Sequence, residues 1–186
     1  TGTKVARKYA RTKTTDDFTV ASVGDKYWDN VSLLVQPEDT ITAVDGYFDS
    51  SSYNHTITPV GDVKHSTDIR KLGRSSVEFD GETDWLQVDD TPDWDFGSSD
   101  WTIEAWVYPK TYSSTILSKW RTTGSSRNSF ILMLENDGRV KMWTNFNCGV
   151  TTTPTNATAT VSTTALTLNA WSHVAVQRRG NLVEIF

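Results

Sequence analysis

Hydrophobic and polar positions in this chain alternate with a period of two rather than a helical period of 3.6. Residues Trp101 to Tyr108 give the clearest run: Trp101, Ile103, Ala105 and Val107 line one side, and Thr102, Glu104, Trp106 and Tyr108 line the other. Pro109 ends it, because proline cannot donate into a sheet ladder. Ile116 and Leu117 begin the next strand. Two alternating runs, 129–135 and 139–145, flank Asn136-Asp137-Gly138, a hairpin signal because glycine accepts the positive φ of a tight turn. Runs 171–178 and 181–186 flank Arg179-Gly180 and predict a second hairpin. Val77 and Phe79 precede the turn signal Asp80-Gly81, and Leu86 and Val88 follow it. Short strands at this spacing predict an all-β sandwich or barrel rather than a βαβ fold.

Composition narrows the function classes. The chain has 186 residues, eight of them Trp, and is rich in Ser and Thr, which suits half-buried pleated surfaces. Its apolar runs are far shorter than the roughly 20 residues of a membrane-spanning helix, so no membrane insertion is expected. One cysteine, Cys148, excludes an internal disulfide framework and a multi-cysteine zinc site. A net charge of −5 argues against binding nucleic acid through bulk charge.

The charges are segregated. Residues 1–15 carry Lys4, Arg7, Lys8, Arg11 and Lys13 and no acid. Residues 1–26 therefore read as an extended basic N-terminal arm, too polar to order itself. Phe18 and Val20 offer it two same-side apolar contacts for a partner's sheet edge. These seven residues are the expected docking contacts on another chain. Residues 75–109 hold Glu78, Asp80, Glu82, Asp84, Asp89, Asp90, Asp93, Asp95, Asp100 and Glu104 with no Lys or Arg. Residues 150–165 are Thr-, Ala- and Ser-rich and read as a long loop or irregular edge segment.

Several segments resemble laminin-G-like domains of the concanavalin A-like lectin/glucanase superfamily. The run 27–34 (YWDNVSLL) is similar to the opening of such domains, and Asp49-Ser50-Ser51 to the turn that follows. Residues 72–81 (LGRSSVEFDG) resemble the family's Gly, Ser and Phe-Asp-Gly signature. Residues 93–97 (DWDFG) with 101–107 (WTIEAWV) look like its most recognisable block, and 171–176 (WSHVAV) like its late Trp-x-His-Val-Ala motif. The resemblance covers 27–186 and implies a two-sheet antiparallel jelly-roll sandwich. It leaves residues 1–26 outside as the arm. The run ending at Phe186 is still alternating, so the 27–186 domain is expected to be incomplete at its C-terminus. The form of the 27–31 opening resembles that of such domains in bacteriophage structural proteins.

Fold does not settle function within this family. A hydrolase needs two carboxylates aimed across a sugar ring. Glu135 and Asp137 have a suitable spacing, but position 140 is Val and Asn136-Asp137-Gly138 reads as a turn; Glu104 stands alone on its strand face. The expectation is therefore a non-enzyme. Glycan binding needs flat aromatic faces beside polar groups, and the candidates are Glu104, Trp106, Tyr108, Trp120, Lys141 and Trp143. Trp28, Trp94, Trp101 and Trp171 fall in the family motifs and read as structural. Calcium, which takes six to eight oxygens, is the inorganic candidate, with Asp89, Asp90, Asp93 and Asp95 as ligands. The same acids also explain themselves as turn formers. His173 reads as a hydrogen-bonded strand histidine. The leading expectation is a non-catalytic jelly-roll module of a virion (tail fibre, appendage or capsid-surface protein), located on the virion or extracellular surface. Its partners would be other assembly proteins, copies of itself, and host-surface glycan. The alternatives are a secreted lectin-like domain and a glycoside hydrolase domain.

Overall fold

The computed structural model describes residues 4–5, 26–38, 46–119, 129–145 and 158–186. Every strand pair described below is antiparallel. Among the described residues there is no α-helix, and no helix is long and apolar enough to cross a membrane. The chain packs as two compact units, Lys4–Asp90 and Thr91–Phe186.

The first unit contains β1 (Lys4–Val5), a 3-10 turn (Trp28–Asn30), β2 (Val35–Glu38), β3 (Gly46–Asp49), β4 (Ile57–Val60), β5 (Lys64–Ser66), β6 (Ser76–Glu78) and β7 (Trp85–Val88). Six of these strands form three ribbons: β2 with β3, β4 with β7, and β5 with β6. Two-stranded ribbons this short have little apolar surface of their own, so they depend on what ties them together. Asp49, only 4% exposed, is one such tie. Its Oδ1 accepts the backbone N–H groups of Leu34 and Ser51, both at 2.9 Å. Its Oδ2 accepts the Ser51 hydroxyl at 2.8 Å and the His55 N–H at 2.9 Å. The buried Ser75 hydroxyl is another tie: it donates to the Pro37 carbonyl at 3.1 Å and lies 3.2 Å from His65 Nδ1, whose ring stacks on Tyr47.

The strands flanking Asp80-Gly81 do not pair with each other. Asp80 gathers the N–H groups of Glu82, Thr83 and Asp84 and the Thr83 hydroxyl onto its own carboxylate at 2.7–3.1 Å. Those donors serve the side chain instead of a tight hairpin ladder. Asp84 in turn accepts the N–H groups of Asp62 at 2.7 Å and Asp80 at 3.0 Å. Gly61, at φ +84°, lets the chain pass so close that a Cβ there would lie 2.3 Å from the Asp84 carboxylate.

The second unit holds β8 (Trp101–Val107), β9 (Ser114–Lys119), β10 (Ser129–Leu134), β11 (Arg139–Asn145), β12 (Thr158–Ala165), β13 (Ser172–Arg179) and β14 (Leu182–Ile185). β13 lies between β8 and β14 in one sheet, and the other runs in the order β12-β11-β10-β9. Both predicted hairpins are present, as β10–β11 and β13–β14. The β8 faces are those the alternation gives: Trp101 and Ile103 are buried and Val107 packs on the core.

One apolar cluster draws from both sheets and makes them a sandwich. β8 and β13 supply Trp101, Ile103, Val174 and Val176; β10 and β11 supply Phe130, Leu132, Leu134, Val140 and Met142. Phe96 stacks on both Trp101 and Phe130, with centroids 5.2 and 4.9 Å away. Of the Thr-rich segment, residues 158–165 form the strand β12 at the sheet edge. Its register slips between Arg139 and Lys141. Ser162 spans the slip, accepting the Val140 N–H at 3.0 Å and donating to the Thr164 carbonyl at 2.7 Å. The basic arm residues Arg7, Lys8, Arg11 and Lys13, with Phe18 and Val20, lie outside the described residues, as do Trp120 and Cys148; of Lys4 only its place in β1 is described.

Candidate functional site

The sandwich presents two outward faces, and the candidate glycan residues divide between them. On the β8–β13–β14 sheet, Trp106 stands opposite His173, Glu104 opposite Ala175, and Thr102 opposite Gln177. The Trp106 and His173 rings lie 5.1 Å apart, tilted by 44°. His173 Nε2 also comes within 3.4 Å of Glu104 Oε2. Just past the end of β8, Tyr108 meets Trp171 edge-on at 5.5 Å. One continuous strip of this face therefore carries an acid, an imidazole and aromatic rings.

Lys141 and Trp143 lie on β11, in the other sheet, with the Lys141 ammonium 4.7 Å above the indole ring. That ammonium also reaches Glu135 at 3.0 Å. One face of Trp143 is thus already engaged by a cation of the same strand. The six proposed residues do not form one site: Glu104, Trp106 and Tyr108 are on one sheet, Lys141 and Trp143 on the other, and Trp120 lies outside the described residues.

The acids weighed as catalytic partners have other occupations. Asp137 pairs with Arg139 at 2.7 Å across the β10–β11 turn. Its carboxyl is held below the usual carboxylate range, first by the Arg139 backbone N–H and then by the Arg139 side chain. Gly138, at φ +82°, gives this turn its shape, and Tyr112 packs where a Cβ would be, its carbon 2.9 Å away. The Tyr112 hydroxyl donates to the Leu166 carbonyl at 2.9 Å, tying that turn's neighbours together.

The calcium candidates divide as well. Asp95 pairs with Lys119 at 2.7 Å. Asp93 accepts the Thr91 hydroxyl at 3.1 Å, while its own N–H donates back to Thr91, an N-cap for the 3-10 turn Pro92–Trp94. Asp89 and Asp90 are exposed after β7. Among the described residues, no three His, Cys, Asp or Glu side chains gather as a metal would require, and the Asp93 and Asp95 carboxylates have partners within the protein.

Three structural residues escaped the site reading. Asp49 and Asp80 bear the hydrogen-bond hubs of the first unit, and Arg178 is a buried guanidinium donating to the carbonyls of Gly180 and Gly97. The signal for the two acids was present as Asp-x-Ser and Asp-Gly-x-Thr, side chains placed to accept from backbone N–H groups just ahead. Asp80 is held down to about 2, led by the Glu82 N–H and then the Thr83 hydroxyl.

With this geometry in hand, comparison by sequence is decisive for the family. Residues 80–186, more than half of the chain, match a laminin-G-like family described as the concanavalin A-like lectin/glucanases superfamily. The chain belongs to this superfamily. No curated protein and no solved structure matches the chain. The superfamily implies a jelly-roll sandwich, and the two sheets over one core in Thr91–Phe186 agree with it. The match begins at Asp80, so the 27–34 run and the Asp49 turn lie before it.

Proposed function

We infer that this superfamily domain is a non-catalytic module that binds glycan on the outer face of the β8–β13–β14 sheet. The carrying observation is the contact set around Trp106: its ring meets His173 at 5.1 Å, and His173 meets Glu104 at 3.4 Å. Sugar recognition calls for an aromatic surface for C–H groups with acceptors and donors beside it for hydroxyls. The β11 face supports this less well, because Lys141 covers Trp143. The non-catalytic reading is supported by the pairing of the acids: Glu135 with Lys141, Asp137 with Arg139, Glu104 with His173. An oligosaccharide array is the test. Wild type should bind at least one glycan, and Trp106→Ala should weaken that binding about tenfold or more at an unchanged melting temperature, as loss of an interface aromatic does. Retained binding in the variant, or hydrolysis of the bound glycan, would remove this reading.

The finer placement, a virion or extracellular assembly, is supported by the charge asymmetry of the sequence and by the form of residues 27–31. The basic segment would dock on acidic surface of a neighbouring subunit. Sedimentation of the full chain should show an assembled species that is lost in Arg7→Glu/Lys8→Glu/Arg11→Glu. An unchanged distribution would remove the anchoring role.

A further inference from the structure

We propose that the outward face of the β2–β3 and β4–β7 ribbons, in the first unit, is a second carbohydrate platform that grips a chain of linked sugars on the rings of Phe48 and Trp85. It is independent of the Trp106 face, which belongs to the other unit. An isolated antiparallel bridge between Phe48 and Thr56 joins the two ribbons. Residues directly opposed across such a pairing share one face, so Phe48 shares its face with Gln36 on β2 and with Thr56. Alternation carries that face along β4 to Thr58 and Val60, and across the ladder to Gln87 and Trp85 on β7. The reverse face is the inward one, where Tyr47, Asp49 and Ile57 are buried. On the outward face the Phe48 ring is 47% exposed and the Trp85 ring 50%. Thr56, Thr58 and Gln87 are exposed beside them, and Val60 is half-buried.

A glycine sets the first ring. Phe48 leans back along β3 so far that a Cβ at Gly46 would collide with its Cζ and stand 2.8 Å from its Cε2. Glycine at this position lets the ring lie along the strand instead of standing off it. β3 and β4 run antiparallel at the bridge, so the lean carries the Phe48 ring toward the Trp85 end. β4 separates β3 from β7, and at ordinary strand spacing their rings stand about 10 Å or more apart. That is wider than one hexose and within the reach of a short chain of them. Each ring offers a surface to the C–H face of one sugar, and the Thr56 and Thr58 hydroxyls and the Gln87 amide offer partners to sugar hydroxyls. A protein partner fits less well, because the core of a protein interface is densely packed and apolar, whereas exposed threonines and an amide share this face with the rings. The spacing has a second consequence. A short ligand engages one ring at a time, so affinity climbs with chain length as the second contact becomes intramolecular.

The test uses the full chain carrying Trp106→Ala, which silences the other face, and follows the indole N–H resonance of Trp85. The probes are β-linked glucose, mannose and galactose oligomers, from monomer to hexamer. In at least one series the Trp85 signal should shift and saturate, with the hexamer bound at least about tenfold more tightly than the monomer. Phe48→Ala, at an unchanged melting temperature, should bring hexamer and monomer within about threefold of each other. Gly46→Ala keeps both rings but displaces that of Phe48, on a backbone that alanine adopts, and should have the same effect. A Trp85 signal that no series moves would overturn the proposal; the Trp106 reading is decided separately, by the wild-type array. A length dependence that survives both substitutions would overturn it too, because the ligand would then lie elsewhere. A Trp85 signal that moves with protein concentration alone would make a second copy of the chain the occupant and overturn the assignment to sugar.

Discussion

The two units reach order by different physical means. In Thr91–Phe186 the strands are longer and the two sheets share one apolar cluster, with Leu132, Met142 and Val176 fully buried. In Lys4–Asp90 the described ribbons are three or four residues long, and their ties are carboxylates and hydroxyls: Asp49, Asp80, Asp84 and Ser75. Of the exposed large aromatics among the described residues, Tyr27, Phe48, Tyr53, Phe79 and Trp85 belong to the first unit and Phe186 to the second. Apolar burial tolerates some imprecision of direction; a buried carboxylate hub such as Asp49 does not, because each buried donor it leaves unmet is a cost. The first unit should therefore be the more sensitive to polar substitution and to acid, and the second to loss of apolar volume.

The largest effect expected from that contrast is in the sandwich. Leu132→Ala leaves a cavity between the sheets and should cost about 4 kcal/mol, read by denaturant unfolding. A cost under about 1 kcal/mol would mean that the sheets are not packed on this cluster. Next comes Asp49→Ala, which orphans three N–H groups and a hydroxyl and should cost about 3 kcal/mol. Amide exchange of Leu34, Ser51 and His55 should accelerate together. Asp49→Asn should cost less, because an amide oxygen still accepts for Leu34 and Ser51 while its NH2 opposes the His55 N–H. If alanine and asparagine behave alike, the hub is not what orders this unit.

Acid provides a reversible version of the same experiment. The backbone N–H groups of residues 82–84 and the Thr83 hydroxyl hold the Asp80 carboxyl down to about 2, well below the ordinary carboxylate range. Its contribution is therefore present at neutral pH and is lost as pH falls from about 4 through about 2. Asp80→Asn should melt below wild type at pH 7, and the gap should close across that window. A gap that stays constant down to pH 2 would show that the ionised carboxylate is not the element holding the 80–84 loop. Smaller effects belong to the sandwich periphery. Tyr112→Phe removes one hydrogen bond to Leu166 and should cost about 1 kcal/mol. Lys141→Met, which breaks a partly buried pair with Glu135, should cost no more than about 0.5 kcal/mol. If the order of these two were reversed, the surface charges would matter more than the contrast allows.

The sequence was most informative where structure is local. Asp137-Gly138 and Arg179-Gly180 fix hairpins through a few residues of turn chemistry, and alternation assigns Trp101 and Ile103 to the inside of β8. The same alternation places Glu104 with Trp106 and Lys141 with Trp143. It carries no information about which strands share a sheet, and the candidate site divides at that point. β8 finds β13 some seventy residues away, so His173 joins Glu104 and Trp106, while Lys141 and Trp143 go to the opposite face. The Asp80-Gly81 turn illustrates the same limit. Its chemistry was legible, but β6 pairs back with the preceding β5, and β7 with β4, whose paired residues are up to 31 positions away.

Glycan, on the reading proposed above, is bound on the Trp106 face. Indole N–H resonances report it most directly, since Trp106, Trp171 and Trp143 sit on known faces of one sandwich. On titration with a neutral oligosaccharide that binds, the Trp106 indole signal should shift and saturate, with Trp171 following through Tyr108 and Trp143 unmoved. A saturating shift of Trp143 with Trp106 stationary would place the ligand on the β11 face and contradict the account.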